Sequence, residues 1–170
     1  MKRPHATILL VDDDPNDLML IQEAFKTANV TSIIQTANGG TEALSYLKGE
    51  GKYSDRDRYG YPDFVVTDLK MPGVDGFGVL EFLRRRNSTI TPTCILSGSA
   101  DSDDIKSAYL LGANAYHAKP CAPTELRALV KTLHDYWMFT ELPEPQTGDE
   151  EWEIKNPAKL GERFFRQHAD

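Results

Sequence analysis

The chain has 170 residues, of which 40% are hydrophobic and 26% are charged, and its net charge is −7 at pH 7. This composition is typical of a globular protein, and about 130 residues are enough to bury a substantial core. The negative charge opposes binding to nucleic-acid phosphates, and no apolar run approaches the roughly 18 residues that cross a bilayer. Because Cys94 and Cys121 form neither a metal-binding spacing nor a disulfide framework, we expect a reduced, cytoplasmic location away from membranes.

Short apolar segments alternate with amphipathic segments along the first 140 residues. Continuous apolar runs predict strands, and apolar residues spaced three or four apart predict helices. Strands are predicted at 7–11, 32–36, 64–68, 93–97 and 115–118, and helices at 15–28, 41–48, 77–86, 103–111 and from 123 onward. Asp14 and Pro15 suit the N-cap and first position of the first helix, and Gly112 follows the end of the fourth. The alternation predicts an α/β fold with a doubly wound, five-stranded parallel sheet.

Two segments lie outside this pattern. Residues 49–62 are charged and contain three tyrosines, which is most simply a solvated insertion. Residues 141–170 begin with a linker, ELPEPQTGDEE, and continue with an arm whose large apolar side chains are Trp152, Ile154, Leu160, Phe164 and Phe165. We therefore divide the chain into a domain at 1–140 and a C-terminal linker and arm at 141–170. Burying these side chains contributes several kcal/mol at about 25 cal/mol per Å², so we expect the arm to pack on its own domain or on a second protomer.

Charged residues follow the predicted strands at the points where ligands bind in parallel sheets, beyond the carboxyl ends. Asp12 and Asp13 follow the first strand, Asp68 the third, Ser97 ends the fourth and Lys119 follows the fifth. Three carboxylates at one edge repel each other strongly unless cations compensate them. Lys119 offsets one charge, and the remainder favours a hard divalent ion with oxygen ligands, such as Mg²⁺. Adjacent residues of a strand point to opposite faces, so only one of Asp12 and Asp13 reaches the ion easily.

Two other interpretations of the first acidic segment remain. The acids could simply stabilise the start of the first helix, which suffices for Asp14 but leaves Asp68 and Lys119 unexplained. Asp12 and Asp14 also mimic the D-x-D motif of haloacid-dehalogenase-type phosphatases. Asn16 replaces the Thr or Val that follows in that family, and no acidic pair follows the fourth strand.

Residues from about 6 to 139 resemble the receiver domain of bacterial response regulators, the CheY-like family. The matching segments are VDDDP, FVVTDLKMPGVDGFGVLEFLR, CILSGSA and LGANAYHAKP, followed by the last predicted helix. The pattern D-x-x-M-P-x-x-D-G, which starts at Asp68, is highly specific, and the order and spacing of the other segments agree with it. The resemblance implies a flavodoxin-like sheet with strand order 2-1-3-4-5.

The resemblance also implies a phosphoacceptor site. Asp68 would take a phosphoryl group from a phosphohistidine on a sensor histidine kinase. Asp13, Asp68 and the backbone carbonyl of Lys70 would bind Mg²⁺ directly, while Asp12 would contribute chiefly through water. Such a protein takes part in its own phosphotransfer and autodephosphorylation, but it is not a turnover enzyme on an external substrate.

The remaining motifs imply a switch beside that site. Lys119 would neutralise charge on the transferring phosphoryl group, and the Ser97 hydroxyl would bond one of its oxygens. Tyr116 matches the aromatic residue that turns inward when that hydroxyl moves, and Lys119–Pro120 matches the family's cis peptide.

The loop before FVVTD and the ending LVKTLHDYWMFTELPEP resemble a narrower group, the single-domain regulators paired with phytochrome-type histidine kinases. The last thirty or so residues are too few for a DNA-binding module, so we expect output through a downstream protein or a histidine phosphotransferase. The family pairs through its fourth and fifth helices, which favours a homodimer. The rival hypothesis is an interaction adaptor with a receiver fold that is never phosphorylated.

Overall fold

The structure, a computed structural model, describes residues 6–85 and 91–141. The five strands are β1 (Thr7–Asp12), β2 (Ile33–Asn38), β3 (Phe64–Thr67), β4 (Thr93–Ser97) and β5 (Ala115–Ala118). The five helices are α1 (Pro15–Thr27), α2 (Gly40–Lys48), α3 (Gly76–Arg85), α4 (Ser102–Leu110) and α5 (Pro123–Phe139). Every predicted strand and helix is present, with its ends within two residues of the predicted ones. The predicted arm, with its packing on the domain or on a second protomer, lies outside the described residues.

The strands form one parallel sheet in the order β2-β1-β3-β4-β5. Successive side chains of β1 alternate between its faces, so Ile8 and Leu10 pack towards α1 and α5 while Leu9 and Val11 pack towards α2 and α3. Apolar layers therefore cover both faces, and the prediction of a doubly wound, flavodoxin-like α/β sheet is confirmed.

Two further features concern the cysteines and the helix lengths. Cys94 is buried in the sheet and Cys121 is exposed, and both are free thiols. Of the helices that the structure describes, none combines the length and the apolar character needed to cross a membrane.

The segment 49–62 is only in part the solvated insertion that its charge predicted, because some of its side chains pack against the domain. A short 3₁₀ helix follows α2 and buries the ring of Tyr53. The centroid of that ring lies 4.8 Å from the Tyr46 ring and 5.0 Å from the Tyr59 ring. Three aromatic rings in contact bury enough apolar surface to hold the insertion against the domain.

Arg56, one of the charged residues of this insertion, binds the backbone of α2. Its guanidinium donates hydrogen bonds to the carbonyls of Tyr46 at 2.9 Å and Leu47 at 3.0 Å. These carbonyls belong to the last turn of α2, and the Tyr46 carbonyl also accepts the Gly49 amide at 3.1 Å. At a helix end, side-chain donors supplement the backbone hydrogen bonds in this way. The arginine therefore completes the end of α2, and the composition of the segment reflects packing as well as solvation.

Glu42 ties the same insertion to the end of β2. Its carboxylate accepts hydrogen bonds from the Tyr53 hydroxyl at 2.6 Å, from Lys52 Nζ at 2.9 Å and from the backbone amide of Asn38 at 2.6 Å. Burial raises the pKa of Glu42, but these three hydrogen bonds outweigh burial and lower the pKa to about 2 from its ordinary 4.5. The ionised carboxylate is therefore the form that the fold stabilises.

We expect Glu42→Gln to lower the free energy of unfolding by about 1 kcal/mol near pH 7, because an exposed charge-assisted network is partly screened by water. The pKa of Glu42 is depressed on folding, so its contribution is present above pH 4.5 and is lost as the pH falls towards about 2. Urea unfolding of the wild type and the variant should therefore give a smaller difference near pH 3.5 than near pH 7. Glu23→Gln, which alters an exposed pair with Lys26, is the control. A difference that is the same at both pH values contradicts the assignment.

Candidate functional site at the carboxyl ends of the strands

The structure brings the three aspartates predicted at the strand ends into one cluster. Asp12 ends β1, Asp13 follows it and Asp68 follows β3, and these strands are neighbours in the sheet. One carboxylate oxygen of each residue lies within 4.8 Å of the others. Asp12 is buried with 1% of its surface exposed, whereas Asp13 is exposed and Asp68 is intermediate. The cluster therefore faces solvent through Asp13 and is closed by the sheet on the side of Asp12.

Asp14, the third acid of the segment, has a different role. Its side chain accepts a hydrogen bond from the Asn16 amide at 2.8 Å and caps α1. Its own amide donates to Asp12 Oδ1 at 3.0 Å, which orients that buried carboxylate. The helix-cap interpretation therefore holds for Asp14 and does not extend to Asp12 or Asp68.

Lys119 forms ion pairs with three carboxylates of the site. Its Nζ lies 2.6 Å from Asp12 Oδ2, 2.7 Å from Asp17 Oδ2 and 3.0 Å from Asp68 Oδ2. Burial opposes the charged form, but the hydrogen bonds to these carboxylates outweigh it and raise the pKa of Lys119. Burial also raises the pKa of Asp12, against the opposing effect of its hydrogen bond from Lys119. The ammonium group is thus held as a fixed positive charge next to Asp68.

The peptide bond after this lysine differs from the family expectation. The described residues contain no cis peptide bond, so Lys119–Pro120 is trans. The trans form of an X–Pro bond is favoured by about 0.5–1 kcal/mol. With the trans bond, the Lys119 amide still donates to the Ser97 carbonyl at 2.7 Å, and its side chain still reaches the carboxylates. The cis assignment is therefore wrong for this structure, because the contacts of Lys119 form without it.

Asp17 is a site residue that the sequence pattern did not predict. It occupies the third position of α1, from which side chains reach back over the start of the helix, and its side chain is 36% exposed. The rule of strand ends selects only residues that directly follow strands, and Asp17 lies within a helix. The sequence does contain a signal for Asp17, because it lies three residues after the helix cap Asp14. An acid in the first turn of α1 faces the same edge of the sheet as the residues at the strand ends.

Close backbone packing fixes Asp68. The Leu69 amide donates to Asp68 Oδ1 at 2.6 Å, and the Asp68 amide donates to the Val11 carbonyl at 2.8 Å. Gly76 starts α3 directly against the backbone of Asp68, where any Cβ would overlap the Asp68 carbonyl oxygen. The glycine that ends the D-x-x-M-P-x-x-D-G motif therefore has a steric reason: only glycine allows α3 to begin this close to Asp68.

The two predicted switch residues meet the same loop residue. Ser97 ends β4 with 1% of its surface exposed, and its Oγ accepts a hydrogen bond from the Ser99 amide at 3.2 Å. Tyr116 is half-buried in β5, and its hydroxyl donates to the Ser99 carbonyl at 2.8 Å. Lys70, predicted to offer its carbonyl, lies two residues beyond Asp68, and its Nζ lies 2.9 Å from Asp104 Oδ2 in α4.

Comparison with known proteins agrees with this geometry. Residues 8–131 match the response regulator receiver domain family. Response regulator Rcp1 of Synechocystis is 30% identical over 138 residues, which cover 81% of this chain and 92% of Rcp1. The crystal structure of the phosphorylated cyanobacterial phytochrome response regulator RcpA is 34% identical with a TM-score of 0.72, and the match covers 82% of this chain and 99% of RcpA. The crystal structure of the Mn²⁺-bound form of Rcp1 is 28% identical with a TM-score of 0.68, over 81% of this chain and 99% of that one. The chain therefore belongs to the response regulator receiver domain family.

Proposed function

We propose that this chain is a single-domain response regulator that accepts a phosphoryl group on Asp68 from the phosphohistidine of a sensor histidine kinase. The observation that carries the proposal is the cluster of Asp12, Asp13 and Asp68 within 4.8 Å, with the Lys119 ammonium 3.0 Å from Asp68 Oδ2. An adaptor that is never phosphorylated has no use for buried charges that cost desolvation energy. Membership in the receiver family also leaves the phosphatase hypothesis without support.

The donor set fits Mg²⁺. Its side-chain donors are all carboxylate oxygens, which suits a hard cation, and Asp13 leaves one side open for retained waters. The three carboxylate oxygens lie within 4.8 Å of one another, close enough for a small ion held partly by protein and partly by water. We propose Asp13, Asp68 and the Lys70 carbonyl as direct ligands and Asp12 as a ligand through water. When bound, the ion neutralises negative charge on the phosphoryl oxygens.

In the transfer step, an Asp68 carboxylate oxygen forms a bond to phosphorus as the bond from phosphorus to the kinase histidine nitrogen breaks. The histidine nitrogen takes the electron pair. The Leu69 amide holds Asp68 Oδ1, and Lys119 lies against Oδ2, so the acceptor is oriented before the donor arrives. Catalysis of this kind is largely positioning and electrostatic stabilisation. Water later hydrolyses the acyl phosphate, so the chain acts on itself and not on an external substrate.

The proposed switch involves the loop after β4, which contains Ser99. We propose that the Ser97 hydroxyl leaves the Ser99 amide to bond a phosphoryl oxygen, and that the Tyr116 ring moves inward as the loop shifts. Both side chains contact Ser99 in this structure, which supports their acting together.

The partners are proposed from relatives and from charge. The similarity to RcpA, a phytochrome response regulator, supports a phytochrome-type histidine kinase as the donor. The free thiols support a cytoplasmic location. The net charge of −7 argues against nucleic acid as a target, so the output is contact with a downstream protein or transfer to a histidine phosphotransferase.

The wild type incubated with acetyl phosphate and Mg²⁺ should gain one phosphoryl group by mass spectrometry, and Asp68→Asn should gain none. Omission of Mg²⁺ should abolish the gain as well. The control is Asp57→Asn, an exposed acid of the insertion, which should be labelled like the wild type. Equal labelling of Asp68→Asn overturns the assignment of the acceptor, and an unlabelled wild type supports the adaptor hypothesis.

We expect Lys119→Ala to bind Mg²⁺ as well as the wild type or better, because a cation beside carboxylates opposes a second one. Asp17→Asn should weaken Mg²⁺ binding about fivefold, since Lys119 then competes for Asp12 and Asp68 alone. The effect of Asp17→Asn should be smaller when Lys119 is also Ala. Calorimetric titration of Mg²⁺ into the three variants tests this. A large loss of affinity in Lys119→Ala contradicts the charge argument.

We propose that the arm at 141–170 exchanges between the two protomers of a homodimer. In a two-fold dimer both arms make the same contact with the other protomer. Truncation after Leu142 should then weaken the dimer, as measured by sedimentation. The full-length protein remaining monomeric at high micromolar concentration, with and without phosphorylation, contradicts this proposal.

A further inference from the structure

An ion pair joins the loop after β3 to the start of α4. Lys70 Nζ lies 2.9 Å from Asp104 Oδ2, with the lysine side chain 66% exposed and the aspartate 21% exposed. Lys70 is two residues beyond Asp68, and Asp104 lies in the first turn of α4. The pair therefore connects the loop after β3, which contains Asp68, to α4, which follows the loop after Ser97.

Asp104 also connects to that loop directly. The Ser99 hydroxyl donates to Asp104 Oδ2 at 3.2 Å, the same oxygen that Lys70 contacts. Ser99 in turn donates its amide to Ser97 Oγ at 3.2 Å and accepts the Tyr116 hydroxyl at its carbonyl at 2.8 Å. A displacement of Asp104 is thus transmitted to both switch residues through one serine.

The charges favour a change of partner for Lys70. A phosphoryl group carries a charge of about −1.5 to −2 and three strong acceptor oxygens. Asp104 carries one negative charge, which the N-terminus of α4 and the Ser99 hydroxyl also stabilise, so it tolerates the loss of the lysine. An exposed ion pair shifts an equilibrium by less than about fivefold. A dianion two residues away from Lys70 is therefore a stronger partner than Asp104.

We propose that the ion pair between Lys70 and Asp104 is a latch that holds Ser99, and that phosphorylation of Asp68 opens it by attracting Lys70. This proposal rests on Asp68 being the phosphoacceptor. Opening the latch releases Asp104 from the loop after β3 while Asp104 keeps its bond to the Ser99 hydroxyl. Asp104 and Ser99 can then move together, and Ser97 can turn towards the arriving phosphoryl group. Lys70 is in this sense a positioning residue, which acts on the switch through Asp104.

The resting latch is tested without phosphorylation. NMR measurement of amide hydrogen exchange at Ser99 and Asp101 in the full-length chain compares Lys70→Gln, Asp104→Asn and the double variant. Each single variant should raise the exchange rates about threefold, and the double variant should raise them no further, because both remove one interaction. Asp103→Asn and Lys106→Gln, which change exposed residues of the same helix, should leave the rates unchanged. Unaltered rates in the single variants, or effects that multiply in the double variant, overturn the latch.

Opening is tested with acetyl phosphate and Mg²⁺, with labelling followed by mass. On labelling, the wild type should reach the Ser99 exchange rate of unlabelled Lys70→Gln, and labelled Lys70→Gln should show less than half of the wild-type rise. Labelled wild type with unchanged Ser99 exchange overturns the latch and leaves the phosphoacceptor intact. Absence of labelling overturns the proposed function itself, and with it the proposal that phosphorylation opens the latch.

Discussion

The site depends on the partly buried ammonium group of Lys119. Lys119 contacts Asp12, Asp17 and Asp68, and its bond to Asp12 spans 107 positions of the chain. Without the ammonium group, these carboxylates would repel each other at an edge that the sheet partly shields from water. A buried ion pair of this kind contributes little net stability, because desolvation offsets most of its attraction. Its value lies in holding the Asp68 carboxylate in a fixed orientation and in placing a positive charge where the proposed phosphoryl group binds.

The strand order decides where that cation is needed. The sheet places β1 and β3 side by side at its centre, so Asp12 and Asp68 end neighbouring strands and cannot avoid each other. The Gly39 amide donates to the Asp12 carbonyl at 2.9 Å, which links the end of β2 to the same edge. Glu42 and the aromatic cluster of the insertion brace this link from the outside through Asn38. The insertion is therefore connected to the site by hydrogen bonds although it lies at the outer edge of the sheet.

The sequence predicted those features that depend on local pattern. Continuous apolar runs identified β1, β3 and β4 because both faces of the sheet are buried there, whereas the edge strands β2 and β5 are more exposed and were recognised as short segments between helices. The rule of strand ends brought Asp12 and Asp68 together from their positions in the chain alone. Features that depend on how far a side chain reaches were not accessible in this way. Asp17 joins the site because the long Lys119 side chain passes over the start of α1. Likewise, the sequence predicts that Arg56 is a solvent-exposed charge, whereas in the structure its guanidinium donates hydrogen bonds to carbonyls of α2.

The two lysines near Asp68 differ in the way that a switch requires. Lys119 is 19% exposed and has three carboxylate partners, so moving it would leave several charges without compensation. Lys70 is 66% exposed and has one carboxylate partner, Asp104, so it exchanges partners at little cost in free energy. In the proposed mechanism, the two cations have different tasks. Lys119 defines where the phosphoryl group binds, and Lys70 converts its arrival into a change elsewhere, because its partner Asp104 is bonded to Ser99 in the loop after β4.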